Sequence, residues 1–245
     1  MKDEEQPRLD RLLLLGHSEK DGPGGTLGTR GIELARSVGG SINGFRFTRL
    51  AGAPEGDMPD ISLHCKFARV FYGPQVPVIQ TAFSFCTGGL PRIPLPMPIV
   101  YGFGDEAMMA EIWTSKLQAA VASGLSTNYE AILQVHGAEL AMTWGESCRM
   151  VLDEMFDAMR DRPSWVGLGV FNRIPIELAA LACGARPSEK HLWTGLGLVE
   201  GILFYRNEEG VIAPAYRASI PKNAENTSHQ IEVDGGGSVI IQDRP

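Results

Sequence analysis

A chain of 245 residues, 44% of them hydrophobic, can bury one sizeable core and fits one large domain better than two small ones. Its net charge of −7 is scattered, with no basic run, which excludes an electrostatic partnership with nucleic acid or an anionic membrane surface. No stretch approaches the roughly 20 apolar residues that cross a bilayer. The four cysteines, Cys65, Cys86, Cys148 and Cys183, form no Cys-x-x-Cys pair and read as free thiols of a reducing, cytoplasmic setting.

Arg11 to Leu15 reads as a first buried strand, because its four leucines are too few for a signal-peptide core. The Gly/Pro-rich stretch 21–25 is a loop. Thr29 to Val38 has helical spacing and stops at Gly39-Gly40. Phe45 to Leu50 alternates like a strand, and Cys65 to Tyr72 holds another. Val76 to Phe85 is a helix that tolerates Pro77 only in its first turn. Four prolines make Gly88 to Pro98 a connection.

Ala107 to Ser123 and Asn128 to Trp144 have apolar residues every three or four positions, as helices do. Gly145-Glu146-Ser147 reads as the start of a further helix to about Met159, with Glu146 favoured by the helix dipole. Trp165 to Phe171 is a glycine-interrupted strand and Ile176 to Cys183 a helix. Strands follow at Gly201 to Tyr205 and Val211 to Tyr216, and a hairpin joins 230–233 to 238–241 across Asp234-Gly235-Gly236-Gly237. Alternating strands and helices predict a three-layer α/β/α sandwich around a mostly parallel sheet. Residues 1–217 are expected to form that single domain and 218–245 a C-terminal tail.

Five short motifs, at Gly16-His17-Ser18, Leu27 to Ala35, Gly73 to Ala82, Gly145-Glu146-Ser147 and Phe171-Asn172-Arg173, resemble in order those of the histidine phosphatase (phosphoglycerate mutase-like) superfamily. The first strand runs into Gly16-His17-Ser18, where that family has Arg-His-Gly. Leu27, Gly31 and Ala35 fall in register with its Leu-Thr-x-x-Gly-x-x-Gln-Ala pattern. Pro74 and Gln80-Thr81-Ala82 match its Ser-Pro-x-x-Arg-x-x-Gln-Thr-Ala. Gly145-Glu146-Ser147 is intact, and a late strand leads into Phe171-Asn172-Arg173 where the family has Ser-His-Gly. The matches span roughly residues 11 to 205.

The resemblance implies a histidine that attacks phosphorus and two arginines and a second histidine that hold the transferring group. It also implies a carboxylic acid that protonates the leaving oxygen. Phosphoryl transfer is mostly positioning plus positive charge, and an arginine's planar fork suits phosphate oxygens. His17 stands at the nucleophile position; Gly16 and Pro77 replace the two arginines, Asn172 replaces the second histidine, and Ser18 completes the pocket positions. Asp105 or Glu106 is the candidate acid. Arg30 and Arg173 are candidate substitute cations, set against the simpler reading that both are surface arginines.

Losing one preorganised donor costs about 10²- to 10³-fold in rate. Three losses predict a protein without ordinary phosphatase or mutase activity, acting as a binding or scaffold protein. The alternative is an active phosphohydrolase or phosphotransferase that uses His17 with a rearranged pocket. No cofactor is expected, and His64, His136, His191 and His229 lack metal-ligand spacing. The expected partners are a small phosphorylated or anionic ligand and a protein. Homo-oligomerisation is implied by the resemblance alone.

Overall fold

The structure is a computed structural model, and it describes residues 10–21, 25–41, 45–50, 67–89, 98–104, 106–122, 128–160, 166–185 and 196–220. Asp105, His64, His191, His229, Cys65, Trp165, most of the proline-rich connection and the C-terminal hairpin lie outside those residues.

The elements run β1 (Asp10–Gly16), α1 (Thr29–Gly40), β2 (Arg46–Arg49), β3 (Phe67–Tyr72), α2 (Val76–Gly89), α3 (Glu106–Ile112), α4 (Ser115–Ala122), α5 (Asn128–His136), α6 (Ala138–Asp157), β4 (Val166–Phe171), α7 (Arg173–Ala182), β5 (Gly201–Arg206) and β6 (Ile212–Ser219). The six strands form one sheet in the order β2-β6-β5-β1-β4-β3. β4 pairs in parallel with β1 and with β3, whereas β5 lies antiparallel to β1 and β6, and β2 antiparallel to β6.

β1 shows why this becomes a sandwich. Successive strand residues face opposite sides of a sheet. Leu13 and Leu15 pack in a core with Leu34 and Val38 of α1 and Val78, Ala82 and Phe85 of α2. Leu12 and Leu14 pack on the other face with Leu152 and Phe156 of α6 and Ile176 and Ala179 of α7. All four leucines are fully buried. A strand covered on both faces reads as a continuous apolar run, as this one does. A smaller cluster of Ile112, Leu117, Ile132, Trp144 and Leu178 ties α3, α4 and α5 to α6 and α7.

Three expected boundaries move. The helix expected over Ala107–Ser123 is two helices, and the Thr114 hydroxyl accepts the Leu117 N–H at 3.3 Å as an N-cap for the second. The helix expected over Asn128–Trp144 breaks at Gly137, whose φ of +83° suits glycine. The start expected at Gly145 is wrong, because α6 begins at Ala138 and runs through it. Glu146 therefore lies mid-helix, where it pairs with Arg149 at 2.6 Å. Gly145 is a packing residue: a Cβ there would lie 2.7 Å from the Leu178 carbonyl oxygen of α7. Among the described residues no helix is long and apolar enough to cross a membrane.

Candidate functional site

The parallel strands β1, β4 and β3 end side by side, and open α/β sheets bind ligands beyond such carboxyl ends. Residues 16–18 leave β1 there, residues 172 and 173 leave β4, and residues 73–75 leave β3. The His17 N–H donates to the Phe171 carbonyl at 3.0 Å, and the Gly73 N–H to the Val170 carbonyl at 3.2 Å. These bonds carry the sheet register one residue past the strands and fix where the side chains emerge.

His17 is buried at 8% exposure. Its Nδ1 lies 2.7 Å from the Ser18 carbonyl oxygen. A carbonyl only accepts, so Nδ1 carries the hydrogen in that bond and the neutral ring keeps its lone pair on Nε2. Burial lowers the imidazole pKa to about 4; the Ser18 bond opposes this, while the charges of Lys20 and Arg173 add to it. The ring is therefore neutral across the physiological range, and two cations lie within electrostatic reach.

Ser18 belongs to the framework. It is fully buried; its hydroxyl donates to the Gly31 carbonyl of α1 at 2.7 Å, and its N–H donates to Thr81 Oγ1 at 2.9 Å. Thr81 in turn donates to the Pro77 carbonyl at 2.7 Å. Gln80 Oε1 accepts the Leu27 N–H at 2.7 Å, which holds the approach to α1. The Gln-Thr-Ala motif thus works as a lock on the loop after β1. Pro77 sits buried in the first turn of α2, where its missing N–H is harmless. It contributes no charge.

Asn172 is buried, and its Nδ2 donates to the Gly104 carbonyl at 3.2 Å, an acceptor shared with Gln75 Nε2 at 2.7 Å. This wall of the site is built from neutral amides. Glu106 is exposed at the head of α3.

The two candidate cations part company. Arg30 forms a half-exposed ion pair with Glu19 at 3.0 Å. Arg173, the first residue of α7, is half-buried and lies over Gly16, since a Cβ on Gly16 would come within 2.4 Å of Arg173 Cγ. Its Nη1 donates to the Leu196 carbonyl at 2.9 Å. A side chain at position 16 would therefore meet the Arg173 stem, which approaches from another strand end.

Sequence reasoning missed two groups. Lys20 lies three residues beyond His17, and burial, then the Arg173 charge, lowers its pKa. Glu177, on α7, is 2% exposed and accepts the Leu196 N–H at 2.8 Å. Burial raises its pKa to about 7 against the opposing pull of the Leu196 N–H, Arg173 and Arg217. A single acid inside the apolar run Ile174–Ala182 was the signal for a buried polar group.

Among solved structures, phosphoglycerate mutase from Bacillus anthracis superposes with a TM-score of 0.56 at 10% identity, over 91% of this chain and 98% of that one. The chain has the phosphoglycerate mutase-like fold. A phosphoserine phosphatase from Entamoeba histolytica, in complex with phosphoserine, aligns at a TM-score of 0.49 and 15% identity over 87% of this chain and 97% of that one. No protein-family model and no curated protein matches the sequence. In this fold His17 follows the end of β1, Asn172 follows the end of β4 and Pro77 lies at the start of α2.

Proposed function

We propose that this chain binds a small phosphorylated ligand at His17, with Arg173 and Lys20 as the cations, and has lost ordinary phosphatase and mutase turnover. One observation carries the reading: the Arg173 stem lies over Gly16 and its charge reaches the His17 imidazole, while Pro77 and Asn172 add no charge. A guanidinium and an ammonium can hold a dianion. They do not replace two arginines and a second histidine aimed at the transition state, and each missing donor costs about 10²- to 10³-fold in rate. Such losses are not additive, yet together they remove most of the acceleration.

The test pairs binding with turnover. Sulfate titrated calorimetrically should bind the wild-type chain and bind Arg173→Ala at least tenfold more weakly. Hydrolysis of a generic aryl phosphate should not exceed that of His17→Ala. A robust rate that depends on His17 overturns the loss of turnover.

A second reading is an active enzyme with a rearranged pocket, and the lone pair on Nε2 favours it. In that reaction Nε2 forms a bond to phosphorus, the bond from phosphorus to the leaving oxygen breaks, and that oxygen takes a proton from an acid, with Asp105 or Glu106 the candidate. Water then releases phosphate from the histidine. Trapping an acid-labile phosphohistidine at His17 selects this reading; its absence across a broad panel of phosphomonoesters sinks it.

A further inference from the structure

Arg173 and Glu177 stand four residues apart on α7, so both side chains leave the same face of the helix. They grip one residue. The guanidinium Nη1 donates to the Leu196 carbonyl at 2.9 Å, and the Glu177 carboxylate accepts the Leu196 N–H at 2.8 Å. Around Glu177 the helix buries Ile174, Ile176, Leu178, Ala179 and Ala180. An apolar residue at 177 would suit that face, so the carboxyl is there for a bond that only an acceptor can make.

Leu196 is a firm anchor because the turn after it is tied at Gly197 and Glu200. The Gly197 N–H donates to the Glu200 carboxylate at 2.7 Å, which also pairs with Arg217 of β6 at 2.7 Å. The Glu200 carbonyl accepts the Gly16 N–H at 2.8 Å. Val199 is fully buried at φ +56°, a left-handed conformation that a β-branched residue holds only when its surroundings impose it. The turn therefore joins the strand end that presents His17 to the helix that presents Arg173.

We propose that Glu177 is a positioning residue: it and Arg173 clamp the two sides of the Leu196 backbone, and this clamp holds the arginine with its stem over Gly16, at the strand end that presents His17. The role rests on the anion-binding reading above. An arginine stem has many rotamers, and an unanchored guanidinium at a helix start spends much of its time in solvent. Fixing it in advance removes that ordering cost from the binding step.

The experiment titrates sulfate, by calorimetry at pH 6 and constant ionic strength, into wild type, Arg173→Ala, Glu177→Gln and Glu177→Leu. Glutamine keeps an oxygen for the Leu196 N–H; leucine fills the space without one. Wild type and Glu177→Gln should agree within about twofold, and Glu177→Leu, folded by circular dichroism, should bind at least tenfold more weakly, as Arg173→Ala does. If Glu177→Leu binds like wild type while Arg173→Ala does not, the clamp is refuted and the anion site stands. If wild type takes up no sulfate, or Arg173→Ala binds equally well, the anion site itself falls and the clamp with it. Should Glu177→Leu fail to fold, hydrogen exchange of the wild-type Leu196 amide decides. Sulfate must raise its protection relative to the β5 amides, and no change overturns the proposal.

Discussion

A Cβ on Gly16 would lie 2.4 Å from Cγ and 3.1 Å from Cδ of Arg173, so a side chain at position 16 and the present place of Arg173 exclude each other. The stem of the arginine would have to leave. Gly16→Ala should therefore weaken sulfate binding about tenfold, as Arg173→Ala does. Because both act through one group, the double variant should bind no more weakly than either single one. Titration calorimetry on the four proteins of this cycle checks it, and additive losses would mean that Arg173 and Gly16 act independently.

His17 makes stability fall on acidification. Its folded pKa is depressed from 6.5 to about 4, so between those values the unfolded chain takes up a proton that the folded chain refuses. The contribution is fully present above pH 6.5 and is lost as pH falls to 4; a shift of this size corresponds to about 3 kcal/mol. Urea unfolding at pH 7 and pH 4.5 should show wild type losing more stability than His17→Gln over that interval. Equal losses would show that the imidazole already protonates normally in the fold.

Thr81 joins the loop after β1 to α2 by accepting the Ser18 N–H and donating to the Pro77 carbonyl. Thr81→Val keeps the shape and removes both bonds, leaving a buried N–H without its acceptor. The cost should be about 1–3 kcal/mol in unfolding free energy. Nuclear magnetic resonance of the His17 ring should also show a less restricted imidazole. A neutral substitution would mean that the loop holds itself.

The framework was legible because its signals are local. Four successive leucines announce a strand buried on both faces, and Gln80-Thr81-Ala82 is readable within one short segment, although its partners Ser18 and Leu27 lie 63 and 53 residues earlier. The start of α6 was misplaced because Gly145 looks like a helix boundary; in a helix interior it costs about 1 kcal/mol against alanine. Close contact with the Leu178 carbonyl of α7 requires that small residue, and a contact between helices leaves no mark in either segment alone. Arg173 illustrates the same limit at the site. Its destination depends on a glycine at the end of β1 and on a turn before β5, both far away in the chain. The neutral residues Gly16, Pro77 and Asn172 could be read directly, whereas a charge arriving from another element could only be suspected.

Glu177 acts in the opposite sense to His17. Its folded pKa is raised from 4.5 to about 7, so the folded chain holds a proton that the unfolded chain has already released. The stabilisation is fully present below pH 4.5 and is lost as pH rises to 7, above which the buried carboxylate carries a penalty of about 3 kcal/mol. The Leu196 N–H, then Arg173 and Arg217, offset part of the burial cost. Glu177→Gln keeps an acceptor for the Leu196 N–H and has no proton to lose. Its unfolding free energy should match wild type below pH 4.5 and exceed it above pH 7.5, and the difference between the two proteins should rise between pH 4.5 and 7. Parallel stability curves over the whole range would mean that this carboxyl does not titrate with a raised pKa inside the fold.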